Sequence, residues 1–197
     1  MSTDYQSAVA GGIKYDSNAT YYAAHLGMGK VVQLNDKDTL DYYGKLFYTY
    51  ARGAKNFEFY QDIQVHKAGW YLLRCNGFTT QVNDKGRVSA RLMMAVVKNG
   101  SIDKTGVYSA ATLNKLSVKD ATTLMGKDKD GTGAGRAFFD GKYENQVQVC
   151  LDDKDWVTKI SETNPVTLRI GYYVNADCVL QDGDVTCVDN FKLLYAG

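Results

Sequence analysis

The chain is short of the groups on which most active sites are built: 197 residues hold two histidines, two tryptophans and one proline, with no net field and no long apolar run. Each shortage excludes something. Proton transfer near neutral pH draws mostly on imidazole, and here only His25 and His66 supply it. His66 precedes Lys67-Ala68-Gly69, where a turn between strands is expected, so it reads as an exposed loop residue. No nucleophile elbow, P-loop, H-E-x-x-H or dinucleotide glycine pattern is present. The carboxylates Glu58, Asp62 and Glu144 remain as a set for glycoside hydrolysis, a chemistry decided by their separation in space, and surface acids are the simpler reading. No enzyme is expected.

Charge excludes two further classes. Twenty-three basic and 22 acidic side chains leave +1, which creates no field to gather nucleic acid or an anionic membrane. No apolar stretch is long enough to cross a bilayer, so membrane insertion is not expected either. The four cysteines lack CxxC spacing, which removes the zinc and redox signatures. Asp128-Lys129-Asp130-Gly131 has no later loop glycine or terminal glutamate, which excludes an EF-hand. No cofactor is expected, although a structural calcium site assembled from backbone carbonyls and a single Asp stays open.

What the chain does have is 15 tyrosines, 19 glycines and enough length to bury a core without staples. Aromatic side chains lose rotamer freedom in helices and pack well on pleated surfaces, so this composition favours short strands joined by glycine turns. Apolar runs bounded by turn residues fall at Val31–Leu34, Leu46–Tyr50, Phe57–Val65, Trp70–Phe78 and Ala90–Val97. Strict alternation places Val147, Val149 and Leu151 on one face of a later strand, and Val166, Leu168, Ile170 and Tyr172 on one face of another. The spacing of Tyr108–Met125 is mixed, and a short helix is expected around Ala110–Leu116. Residues 1–20 read as a tail or domain entry and 21–197 as a single domain. The expected fold is all-β: a jelly-roll sandwich of two antiparallel sheets with a small helical insertion near residues 108–139.

Near the C-terminus, Asp182-Gly183 is a strong hairpin signal. Counting outward from it sets Cys178 opposite Cys187 at a non-hydrogen-bonded pair, where side chains approach most closely. The two are either a cross-strand disulfide or reduced, small apolar residues; Cys75 and Cys150 are expected to be free.

Aromatic residues point to the candidate site. Alternation in Trp70–Cys75 separates Tyr71, Leu73 and Cys75 from Trp70, Leu72 and Arg74. Trp156 follows the acidic run Asp152-Asp153-Lys154-Asp155, with little apolar surface nearby, and is either an exposed platform or a plug over the sandwich end. Aromatic faces bind the apolar faces of sugar rings while nearby Asp, Asn and Arg fix the hydroxyls. Trp156 and Trp70, with Asp155, Arg169 and Tyr173, are therefore the candidate ligand-binding residues.

The order Phe59-Tyr60-Gln61-Asp62-Ile63, Ala68-Gly69-Trp70-Tyr71, Gly141-Lys142-Tyr143-Glu144-Asn145, Leu168-Arg169-Ile170-Gly171 and Val188-Asp189-Asn190-Phe191-Lys192-Leu193 resembles a family of β-jelly-roll modules in secreted and surface-lipoprotein proteins of gut anaerobes. These are similar to the galactose-binding-type sandwiches used as carbohydrate-binding modules. The likeness spans roughly residues 57–197; where the family commonly has Trp before its final strand, this chain has Val185. The resemblance implies a non-catalytic module that binds a glycan or polysaccharide on a secreted or cell-surface protein, the signal being absent from this chain. Other surface proteins are the alternative partners, the module then being a structural or interaction unit of a larger envelope protein.

Overall fold

The computed structural model describes residues 12–14, 20–24, 31–33, 40–41, 49–52, 57–80, 90–151, 159–174 and 184–196. Their strands are β1 (Gly12–Lys14), β2 (Thr20–Ala24), β3 (Val31–Gln33), β4 (Leu40–Asp41), β5 (Thr49–Arg52), β6 (Phe57–Val65), β7 (Trp70–Thr79), β8 (Ala90–Lys98), β9 (Ser101–Ile102), β10 (Tyr108–Thr112), β11 (Asn114–Lys115), β12 (Glu144–Cys150), β13 (Val166–Val174) and β14 (Val185–Ala196). Among the described residues they form two sheets. The smaller runs β1-β6-β13-β8-β10, with β9 on β8; the larger runs β11-β7-β14-β5-β2-β3-β4, with β12 on β7. All pairings are antiparallel except the short β11–β7 contact.

Period-two patterning explains why these segments are strands and how the sheets meet. Leu168, Ile170, Tyr172 and Val174 of β13 share a face with Ala90, Leu92, Met94 and Val96 of β8 and with Phe59, Ile63 and Val65 of β6. From the other sheet, Tyr71, Leu73 and Cys75 of β7 and Val147 and Val149 of β12 join the same core. Fully burying a side chain such as Leu73, Leu92 or Leu168 stabilises the fold by about 1.5–3 kcal/mol. Gly171 sits where β13 and β6 approach too closely for a side chain, since a Cβ there would run into the Phe59 carbonyl oxygen.

Strand β14 serves the core on both sides of a bulge. Its register against β7 shifts by one residue between Asp189 and Lys192. Even-numbered Val188 and odd-numbered Leu193 therefore both reach the main core. Asn190 carries the bulge at φ 59, and its Nδ2 donates to Asn76 Oδ1 at 2.9 Å. Asn tolerates that left-handed conformation better than most residues.

The helical insertion consists of α1 (Val118–Gly126) and α2 (Ala134–Phe139), separated by a 3-10 turn at Asp128–Asp130. Ser117 starts α1, its Oγ accepting the Asp120 N–H at 3.0 Å. Buried Asp128 accepts the Gly135 N–H at 2.9 Å through Oδ1 and so secures the entry to α2. Ala121, Ala134 and Phe138 then close a second core over Phe78, Val185 and Cys187, on the side of the larger sheet away from the main core. The rings of Phe78, Phe138 and Tyr143 form a tilted trio, 5.6–6.3 Å between centroids.

One expectation needs correction. The stretch around Ala110–Leu116 is not a helix: Tyr108–Thr112 pairs with Ala95–Arg91 as β10, and the chain crosses at buried Leu113 to the larger sheet. Helix formation begins only after Ser117, which supplies the missing cap. Cys187 pairs in register with Tyr50 on one side and Phe78 on the other. Cys187 is buried, and its Sγ faces Met125 Sδ at 3.8 Å. Cys178 and the Asp182–Gly183 turn lie outside the described residues, as do His25, Trp156 and Asp155. Within the stretch read as a tail, Gly12–Lys14 pairs with β6.

Candidate functional site

The side of the smaller sheet away from the core carries three cross-strand rows, fixed by the register. One is Glu58, Tyr173, Arg91 and Thr112; the next Tyr60, Gly171, Met93 and Ala110; the third Asp62, Arg169, Ala95 and Tyr108. The middle row is low at β13 and β10, where Gly171 and Ala110 have little or no side chain. Large side chains from the flanking rows lean across it, as diagonal neighbours on a twisted sheet can.

One such crossing and one pair within the third row define the surface. Tyr108 and Tyr173 meet hydroxyl to hydroxyl at 3.1 Å, spanning the column of β8 where Met93 is fully buried. Arg169 donates from Nε and Nη2 to the two carboxylate oxygens of Asp62, at 2.7 and 2.8 Å, and its guanidinium lies 3.7 Å from the Tyr60 ring centroid. This fork-on-carboxylate geometry with a stacked ring satisfies a cation that is only 4% exposed. The hydrogen bonds to Asp62 hold the Arg169 pKa above its ordinary value against the opposing effect of burial.

Around the tyrosine pair stand two further cations. Lys104, from the turn before β10, places Nζ 5.5 Å from the Tyr173 ring centroid. Arg91 neighbours Tyr173 in register, and its Nε is excluded from water without a hydrogen-bond partner. The Tyr108 phenol is pushed up first by burial and then by its bond to Tyr173, while the Arg91 charge pulls it back. The phenol therefore keeps its proton through the neutral range.

The candidate residues are distributed unequally over the fold. Arg169 and Tyr173 share this face; Trp70 lies on the outer face of the other sheet, 44% exposed beside Leu72 and equally exposed Leu194. Trp70 and Tyr173 thus belong to opposite sides of the sandwich and form no common site. Of the three carboxylates, Asp62 is held by Arg169, Glu58 lies two rows from Asp62 on the same strand, and Glu144 is on the larger sheet. His66 sits at one sandwich end with Nδ1 3.6 Å from Glu162. Among the described residues no group of three or more His, Cys, Asp or Glu converges on a metal position.

Tyr60, Tyr108, Arg91 and Lys104 were not singled out by the sequence. The first three share their face with Arg169 and Tyr173 through partners that only the register reveals. No known protein-family profile matches the chain, and no curated protein matches it.

Proposed function

We propose that the protein is a non-catalytic glycan-binding module of a secreted or cell-surface protein, with its sandwich arranged as a jelly roll. Its saccharide contact lies on the outer face of the smaller sheet, across Tyr173 and Tyr108. The observation that carries this reading is the hydroxyl-paired tyrosine couple, half-buried and flanked by Lys104 and Arg91. Aromatic surface supplies the apolar contact that sugar rings need, and polar groups at its rim supply orientation. Two mostly antiparallel sheets with non-sequential neighbours support the jelly-roll arrangement. A glycan-array screen of the purified chain, repeated with Tyr173→Ala, tests the reading. Binding to a defined saccharide that weakens at least about tenfold in the variant is the expected result; undiminished binding by Tyr173→Ala rejects this face, and Trp156→Ala then tests the loop candidate.

A second reading, a protein-interaction module, has its own observation. Trp70, Leu72 and Leu194 form a contiguous apolar group on the larger sheet, and such surface on a β-sandwich is commonly covered by a partner. A blank glycan array from folded protein favours it.

A further inference from the structure

Charge pairing on the smaller sheet leaves an imbalance that narrows the ligand. Arg169 is satisfied by Asp62. In the turn before β10, Asp103 accepts Lys98 Nζ at 3.3 Å through Oδ2, and both the Thr105 N–H and hydroxyl through Oδ1. The carboxylate next to Lys104 in sequence is therefore already engaged by other groups. Glu58 stands across Tyr173 from Arg91, and its carboxylate, with Oε2 buried, sets one negative charge in the same row. Against that one carboxylate stand two cations beside the tyrosines: Lys104, exposed over the Tyr173 ring, and Arg91, whose Nε is dry and unbonded. A desolvated donor on a charged group lacks the hydrogen bond it would keep in water, and an anion that draws the Arg91 guanidinium outward restores it.

The hydroxyl pair adds a neutral donor. Two phenols bonded to each other use one O–H between them, and the second O–H is left to point elsewhere. The face thus offers a guanidinium, an ammonium and a phenol around one aromatic surface.

We infer that this face binds an anionic saccharide, one bearing carboxylate or sulfate groups, with Arg91 and Lys104 receiving the anion while Tyr173 contacts the ring. The inference rests on the glycan-binding reading above and specifies its ligand class. Arg91's planar fork suits either oxyanion, and Lys104 acts as a point charge at the rim.

The test is calorimetric titration of the full chain with polygalacturonate, chondroitin sulfate and neutral galactan at low salt. At least one of the two anionic polymers is expected to bind roughly ten- to a hundredfold more tightly than galactan, a preference that added salt erodes. Arg91→Gln and Lys104→Gln should each remove most of the preference, whereas Lys119→Gln, which makes the same charge change on exposed α1, should leave it intact. Lys104 is exposed, so its variant is expected to fold even where Arg91→Gln does not. Comparison of the two anionic polymers separates a carboxylate from a sulfate preference. Galactan binding equal to that of both anionic polymers overturns the inference and leaves the glycan reading standing. An anionic preference insensitive to Lys104→Gln, and to Arg91→Gln where that variant folds, overturns the placement. Binding of none of the array saccharides or these polymers overturns the glycan reading itself.

Discussion

The two sheets treat the faces they turn away from the core in opposite ways. On the smaller sheet that face is closed by its own side chains: Tyr108 and Tyr173 join above Met93, and Tyr60 and Asp62 enclose Arg169. On the larger sheet, one end is closed by a separate element, the helical insertion over Phe78 and Cys187, and the other leaves Trp70 and Leu194 in contact with solvent. Burial on an outer face is thus reached by two routes, polar cross-strand pairing and apolar helix docking. They should respond differently to substitution. Helix docking depends on packed volume, whereas the paired face depends on satisfied charge and hydrogen bonds.

Phe138→Ala should have the largest effect. It removes the ring that fills the second core between α2 and Phe78, at a cost of about 3–5 kcal/mol in chemical denaturation. A smaller loss would show that the insertion is loosely attached. Asp62→Ala tests the paired face by leaving Arg169 buried without its carboxylate, and about 2–4 kcal/mol is expected. Arg169→Met should cost less than Asp62→Ala, since it removes the charge as well as the pair; the reverse order would show that the ion pair itself, and not the stranded cation, carries the effect.

Asp189 provides the next test, at the bulge of β14 where neither closing device reaches. Burial raises its carboxyl from 3.8 to about 6, opposed by a hydrogen bond from the Asn190 backbone. The folded state therefore holds this proton more tightly than the unfolded chain. Its contribution to stability is fully present below about pH 4 and is lost as pH rises through about 6. Asp189→Asn should flatten that dependence and stabilise the protein at pH 7 by on the order of 2 kcal/mol, as read from denaturation midpoints at pH 4 and 7. A pH slope unchanged by the substitution would place the titrating group elsewhere. The smallest effect is expected from Ser117→Ala, about 1 kcal/mol, from loss of the α1 cap.

Legibility of the sequence followed the range of the interactions. Phe57–Val65, Trp70–Thr79 and Val166–Val174 were readable because alternation is local, and the inward set of Tyr71, Leu73 and Cys75 follows from it directly. Ala110–Thr112 was misread as part of a helix because Ala110 and Ala111 are good helix formers, and the pairing with β8 that overrides them is tertiary. The Asp182-Gly183 turn lies outside the described residues, and the partners of Cys187 that the fold shows, Tyr50 and Phe78, are more than 100 residues away. At the candidate site, Arg169 and Tyr173 were visible as residues on the non-core face. Their partners were not: Asp62 is 107 residues from Arg169 and Tyr108 is 65 from Tyr173. Which cations are already neutralised is likewise a property of the folded sheet, and it decides what the face can bind.

The most direct measurement sets one outer face against the other in a single titration. The saccharide selected by the glycan array is titrated into the chain, into Tyr173→Ala and into Trp70→Ala, with near-ultraviolet circular dichroism confirming that each variant is folded. Affinity should fall at least about tenfold with Tyr173→Ala and stay within about twofold of the parent with Trp70→Ala. Loss of binding with Trp70→Ala and retention with Tyr173→Ala would move the site to the larger sheet and contradict the account.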